Sequence, residues 1–486
     1  MILDDESRLV WQATTEPPGA TRRVQPVDVH DIGTLIDHSP LHELRPKGVL
    51  HAPAHHRRVP AKPMDNGDSG HAGLHKRLAP VPERRVAVDQ LVGIGQVIAV
   101  PEADLDDGHV IVALVRVALV VPGGVDASGR HRVIPSLLSF IARMATSYEV
   151  VVYVLRYHTE PHSYPLLGAT VRDLGSPAGV RRQYAALVRA LTRDEPFDVI
   201  HGWWALPSGL VAALAGRRLG VPSVVTCDSG EFAAIPDIDY GSQVYRRRRL
   251  AVAAAVRLAA RVTVCTQYQA DLARACRARC EIVPIGVDTN VFVPSSTSEG
   301  PPWRLLQVAS LNRVKDQPTL LGAFRHVLDT GLDAHLDIVG EDTLNGTVHA
   351  LADRLGLGTR VTFHGVLTTE QLVPFYHRAH LLVISSRHEA AGVVALEAAS
   401  CGVPIVGTAV GYLADWTPHR ARTVPPRDWQ GLGAAIVDVL TDRGARERTR
   451  RSAREWTLAH DADWTAHQFS RIYDELSDHG SRGRQR

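Results

Sequence analysis

The stretch SSRHEAAGVVALEAASCG, Ser385 to Gly402, sets two glutamates, Glu389 and Glu397, eight positions apart among alanine, valine, leucine and glycine. A buried carboxylate must find a cation, give up its charge, or accept hydrogen bonds from a ligand. On one continuous helix, eight residues would turn Glu397 roughly 80° past Glu389 and carry it about 12 Å along the axis. They would not act as a pair. The flanks give a different geometry: HLLVISS (His380 to Ser386) is expected as a buried strand and Arg387 to Gly392 as a loop. Val393 to Ser400 then makes a short helix closed by Gly402, and VPIVGT (Val403 to Thr408) the next strand. In such a β-loop-α-β unit, ligands gather at the carboxyl ends of the strands, where the helix start offers unpaired amides. Glu389 falls in that loop and Glu397 about one turn inside the helix. A carboxylate that accepts from two adjacent hydroxyls suits a sugar or ribose diol, and the amides around Gly392 suit a phosphate. These residues alone leave open that Glu397 pairs with a core arginine and that Glu389 is solvated.

A chain of 486 residues exceeds what one core usually holds, so two large domains are expected. The net charge of +2, from 54 basic against 52 acidic residues, argues against a polyanionic partner such as nucleic acid. Five scattered cysteines fit reduced thiols in the cytoplasm better than a disulfide framework. The longest apolar run, Val110 to Val121, is interrupted by Arg116 and is too short to span a bilayer. No secretion signal opens the chain.

Residues 1 to 110 scatter proline, arginine and histidine without period, and nine of the 24 histidines lie there. HAPAHHRR (His51 to Arg58) has no ligand set at metal-binding spacing, and only Gln90 to Val100 looks like a strand. A disordered extension, or a start codon placed too far upstream, is expected. From about Val112, apolar strands alternate with helices: Val115 to Val121, Glu149 to Leu155, Phe197 to Trp204, Val221 to Phe232 and Arg261 to Thr266. A domain crossing is expected at Glu281 to Pro294. A second alternation then runs from Arg304 to about Gly411, and a last helix, Asp463 to Leu476, packs back across the junction. Two doubly wound domains, 111–290 and 291–460, with a returning segment 461–486, follow from this order.

Five segments in sequence order resemble the family-4 retaining glycosyltransferases of the GT-B fold: VVPGGVDASGRHRVIPSLL, VIHGWWALPSGL, VPIGVDTNVF, VASLNRVKDQPTLLGAF and HEAAGVVALEAASCGVPIVGTAVGYL. The last is that family's E-x7-E arrangement. The resemblance implies two Rossmann-like domains facing a central cleft, an N-terminal acceptor domain and a C-terminal donor domain. It implies that Glu389 touches the donor sugar, that Glu397 holds the ribose diol, and that the Gly392 and Val393 amides lie near the distal phosphate. Lys315 matches the lysine that neutralises the donor diphosphate, and Gly123 and Gly124 match the loop that closes over it. Three positions depart from the family: Ser310 stands where an arginine is common, leaving Arg313 as a substitute; Trp203 replaces a second histidine after His201; and Asp228 replaces the histidine of a further loop. His201, Asp228 and Glu231 are the acceptor-side candidates.

The implied activity is transfer of a hexosyl unit from a nucleoside-diphosphate sugar, with retention, to a carbohydrate, lipid-linked or small-molecule acceptor. No metal or other cofactor is expected, because a lysine and helix amides supply the charge at the leaving phosphate. Two alternatives are a catalytically silent nucleotide-sugar-binding partner subunit, motivated by Ser310, Trp203 and Asp228, and a nucleotide-sugar epimerase on the same fold. Asp237 and Asp239 in IPDIDYG are expected in a turn or acceptor loop rather than at a metal. The run Arg246, Arg247, Arg248, Arg249 opens an alanine-rich helix. A solvated helix end is the expectation there, with peripheral contact at the inner face of the membrane as the alternative.

Overall fold

The computed structural model describes residues 115–484, apart from 195, 297 and 298. The expectations for residues 1–110 lie outside the described residues.

Strand β1 (Arg116–Val121) is buried from its second residue onward, as consecutive apolar positions require in a strand covered on both faces. It pairs in parallel with β2 (Glu149–Val154) on one side and β5 (Val199–Trp203) on the other. Beyond β5 lie β6 (Ser223–Cys227), β7 (Arg261–Val264) and the two-residue β8 (Glu281–Ile282); beyond β2 lie β4 (Ala169–Asp173) and β3 (His162–Leu166). The β3–β4 pair is antiparallel and escapes the sequence pattern, since β3 is mostly exposed and carries a proline, which only an edge strand accommodates.

The second sheet is parallel throughout: β9 (Trp303–Val308), β10 (Ala334–Val339), β11 (Val361–Phe363), β12 (Leu381–Ile384), β13 (Ile405–Thr408) and β14 (Arg422–Val424), in the order β11-β10-β9-β12-β13-β14. The alternation thus continues past Gly411, where it was expected to end, because β14 is three residues long and only partly buried. Two Rossmann-like domains result.

The crossover between the sheets is pinned from both sides. Thr465 accepts from the Gly286 amide at 2.8 Å and donates to the Pro284 carbonyl at 2.8 Å, while the Tyr412 hydroxyl accepts from the Ile285 amide at 2.9 Å. The final helix, Ala462–Arg484, extends past both expected ends and buries Phe469, Ile472, Tyr473 and Leu476. Phe469 meets Phe140 of helix Pro135–Met144 edge-on at 5.0 Å. Arg143 on that helix bridges Asp288 of the crossover and Asp463 of the final helix, at 3.1 and 2.5 Å. Apolar and ionic contacts therefore return the last helix to the first sheet. Helix Arg246–Leu258 starts with the four arginines and buries only Val252 and Ala255, so its basic start is largely exposed.

Candidate active site

The loop after β12 carries Glu389, and the loop after β9 carries Lys315. Their side chains meet at 2.6 Å, each mostly shielded from water. The Ser386 hydroxyl donates to the same carboxylate oxygen at 2.6 Å. Burial alone would raise the Glu389 pKa, but the ammonium and the hydroxyl outweigh it and hold the carboxyl below its usual value. Glu389 is therefore an anion with a cationic partner, not a solvated loop carboxylate. Lys315 is itself placed by its backbone: its amide donates to Asn312, and its carbonyl accepts from Ser385 at 2.7 Å.

Elements of the first sheet close on this loop from the opposite side. Arg387 makes a two-pronged ion pair with Asp237 at 2.6 and 2.9 Å. His388 is buried, lies between the rings of Tyr240 and Tyr268, and faces the Ser229 carbonyl at 3.4 Å. The Thr266 hydroxyl donates to the Ala390 carbonyl at 2.8 Å. The Asp415 carboxylate accepts the amides of Gln267 and Tyr268, the first turn of helix Gln267–Ala275, at 2.7 and 2.9 Å. Glu389 thus sits on a segment gripped on both sides by the other domain. None of Arg387, His388, Tyr268 or Asp415 stood out in the sequence, because their partners lie more than a hundred residues away.

Asp228 follows β6 and accepts a hydrogen bond from the Cys265 thiol at 3.2 Å. Burial pushes its carboxyl up to about 7; the negative charges of Glu231 and Glu389 add to the shift, and Lys315 opposes it. Asp228 is thus close enough to feel the Lys315–Glu389 pair, and the site draws on both sheets.

Glu397 lies in helix Val394–Ser400 and is 8% exposed. Its partner is not a core arginine but the Tyr376 hydroxyl, which donates to one oxygen at 2.6 Å. Burial pushes this carboxyl up to about 7, and the tyrosine only partly offsets it. Gly392, at φ +81°, turns the chain from the Glu389 loop into the helix, a left-handed conformation that favours glycine. The amides of Gly392 and Val393 donate no hydrogen bond among the described residues and are available to an anionic ligand.

Three expected site residues fall elsewhere. His201 is fully buried: its ring nitrogens meet the Tyr473 and Thr226 hydroxyls at 2.6 and 2.7 Å, and its ring stacks on Phe469. Burial lowers its pKa to about 3, so it is a neutral core residue with no face toward an acceptor. The departure at Trp203 has the same explanation, for that ring fills the core against Phe140 and Phe469. Glu231 is 3% exposed and spends its oxygens on the amides of Ala205 and Ser229, so it braces the loops after β5 and β6 instead of facing an acceptor. Arg313 is exposed and makes no ion pair among the described residues, so nothing joins it to Lys315. Gly123 and Gly124 occupy the loop directly after β1.

Among the described residues, one group has a set of atoms suited to a metal: His158, His162 and Asp173, at the β3–β4 edge of the first sheet. Its sequence signal was the pair of histidines in HTEPH, four positions apart and interrupted by proline.

The family described as "Glycosyl transferases group 1" matches residues 289–456, and the "Glycosyl transferase 4-like domain" matches residues 131–286. The D-inositol 3-phosphate glycosyltransferase of Mycolicibacterium smegmatis is 30% identical over 402 residues, 75% of this chain and 90% of that protein. Its counterpart in Acidothermus cellulolyticus is 29% identical over 61% of this chain and 73% of its own. Among solved structures, sucrose-phosphate synthase from Thermosynechococcus elongatus aligns with a TM-score of 0.63 at 20% identity, over 74% of this chain and 99% of that one. Anabaena HepE, solved with UDP-glucose, aligns at 0.57 and 16% identity, over 74% of this chain and 99% of its own. At these identities the solved structures speak for the fold, and the sequence relatives for the family. The chain belongs to the group 1 glycosyltransferases, with the GT-B fold.

Proposed function

We propose that this glycosyltransferase moves a hexosyl unit from a nucleoside-diphosphate sugar to an acceptor hydroxyl with retention of anomeric configuration. The observation that carries this is the shielded Lys315–Glu389 pair, with Asp228 brought near it from the other domain. The UDP-glucose bound to Anabaena HepE supports such a donor, and the names of the curated relatives favour a small polyol phosphate as acceptor.

In this reading Glu397 accepts from the ribose hydroxyls, and Lys315 leaves Glu389 to meet the diphosphate together with the Gly392 and Val393 amides. Glu389 then accepts from hydroxyls of the sugar. The bond from the anomeric carbon to the phosphate oxygen breaks, and the acceptor oxygen adds on the same face. The acceptor proton passes to the departing phosphate oxygen. Once the donor is bound, Lys315 and the amides stabilise charge where it develops. We assign no metal to this step.

Incubating the full chain with UDP-, GDP- and ADP-sugars and inositol phosphates, followed by NMR of the product, tests the proposal. An inverted linkage overturns the mechanism, and isomerised donor without acceptor points to an epimerase. Activity that persists in chelator supports the absence of a metal role. A second reading, a silent nucleotide-sugar-binding subunit, is favoured by Ser310 together with the isolation of Arg313; it requires tight donor binding with no product.

Beside the four arginines, Tyr245 and Leu250 are 39% and 61% exposed. We assign this patch a peripheral contact with anionic lipid, each cation contributing about 1 kcal/mol near the surface. Co-sedimentation with phosphatidylserine vesicles that persists in the Arg246→Glu/Arg247→Glu variant would remove it. No helix among the described residues is long and apolar enough to cross a membrane.

A further inference from the structure

We infer that His158, His162 and Asp173 form a binding site for a divalent transition-metal ion of the Zn2+ type, and that the ion stiffens the glycine loop after β1. The site is separate from the Lys315–Glu389 pair, and the inference does not rest on the transfer reaction.

The first support is the carboxylate. Asp173 ends β4 at 2% exposure, and its oxygens accept from the amides of Gly175 and His158 at 2.9 and 3.1 Å. Its only ion-pair partner among the described residues is the His158 ring, at 2.8 Å. A buried carboxylate that two backbone amides and one imidazole hold in place, with no lysine or arginine paired to it among the described residues, is a preformed ligand for a cation.

The second support is the convergence of ligand atoms. One candidate atom from each of the three side chains lies within 4.8 Å of the others. Two ligands of a tetrahedral ion at bond lengths of about 2.0–2.2 Å stand about 3.4 Å apart, so the Asp173–His158 hydrogen bond, 2.8 Å long, has to open only slightly to admit the ion. His162 is exposed, and its ring lies 4.2 Å from that of His158, so a side-chain rotation brings it in while the backbone stays put. Two imidazoles and one carboxylate are a donor set for Zn2+ and its neighbours rather than for Mg2+ or Ca2+, which prefer oxygen. Water would complete the shell.

The third support is what the site is wired to. Tyr157, next to His158, donates its hydroxyl to Asp126 at 2.9 Å, and a side-chain carbon on Gly123 would come within 3.2 Å of its ring. Tyr164, whose ring stacks on His162, donates to the Val125 carbonyl at 2.7 Å. Both tyrosines grip the segment following Gly123 and Gly124, and each neighbours one of the two histidines. An ion that fixes the histidines fixes the tyrosines and, through them, the loop.

The test uses the full chain, stripped with chelator and titrated with Zn2+ by calorimetry and with Co2+ by visible absorption. The chain has 24 histidines, so the readout is the difference between wild type and His162→Gln, whose side chain is exposed and whose loss leaves the fold intact. The wild type is expected to bind one more equivalent than His162→Gln, or to bind that equivalent at least about ten-fold tighter. His158→Gln is expected to repeat the loss. Zn2+ should also raise the melting temperature of wild type more than that of either variant, and slow proteolytic cleavage within residues 122–132 in wild type alone. Equal stoichiometry and affinity in wild type and His162→Gln would overturn the site. An equivalent lost without any change in loop proteolysis would overturn the link to the glycine loop.

Discussion

Glu389 and Glu397 are both largely buried and eight residues apart, yet their surroundings push them in opposite directions. Glu389 has an ammonium and a hydroxyl against one oxygen and stays ionised; Glu397 has a single neutral phenol and rises to about 7. One carboxylate is thus paired with a cation inside the protein, whereas the other has only a phenol against one of its oxygens. Burial is common to both. The partner, not the burial, decides the charge.

The comparison breaks most severely at Lys315. Lys315→Met removes the cation from the carboxylate and, in the proposed mechanism, from the leaving phosphate; loss of one such stabilising group costs about 10²- to 10³-fold in kcat. Single-turnover kinetics on a sugar-nucleotide donor should show it, with the protein still folded. A loss under ten-fold would remove Lys315 from the step.

The two glutamates then separate by what they lose. Glu397→Gln is expected to weaken nucleoside-diphosphate binding by about ten-fold or more, as for a charge-assisted hydrogen bond, because it would hold ribose whatever sugar is attached. Glu389→Gln is expected to leave that affinity nearly unchanged and to lower turnover by a similar factor. Calorimetric titration of both variants measures the first effect and donor turnover the second; equal nucleotide affinity for wild type and Glu397→Gln would sink the ribose assignment.

The direction of the Glu397 shift adds a pH test. The ionised form is the acceptor of hydroxyls, so nucleotide affinity should rise between pH 6 and 8 as this group deprotonates near 7, and the rise should vanish in Glu397→Gln. For stability the sign runs the other way. The folded state holds a proton from about 4.5 to 7 that the unfolded chain has released, so this group's contribution falls as pH increases through that window. Because Tyr376 can donate equally to an amide oxygen, Glu397→Gln should keep its melting temperature at pH 8 while binding less nucleotide. Broad destabilisation instead would mark Glu397 as structural.

A smaller effect is expected from Tyr376→Phe. Without the phenol, the Glu397 pKa should climb further and nucleotide affinity at pH 7 should drop a few-fold, recovering at pH 8.5. A flat response would show that the tyrosine does not tune this carboxylate.

The strands of both sheets were legible because parallel strands covered on both faces read as unbroken apolar runs, as in VRVALVV and HLLVISS. The β3–β4 hairpin and β14 were not, being short or exposed edge strands with little apolar signal. At the site, the local signals of Glu389, Glu397 and Gly392 were readable because one β-loop-α unit carries them. His201 misled: the resemblance offered it as an acceptor-side residue, but it is the middle residue of β5, and Phe469 and Tyr473, some 270 positions later, cover it. Sequence separation also hid the Arg387–Asp237 pair, whose halves lie 150 residues apart and carry no periodicity.

The burial of His201 beneath Phe469 and Tyr473 has a consequence for synthesis on the ribosome. Chains emerge from the N-terminus, and N-terminal domains commonly fold first. Here the first sheet cannot seal its core until the last helix has been translated. While the entire second domain is being made, the rings of Phe140, His201 and Trp203 lack their cover, and the nascent chain carries an open aromatic seam.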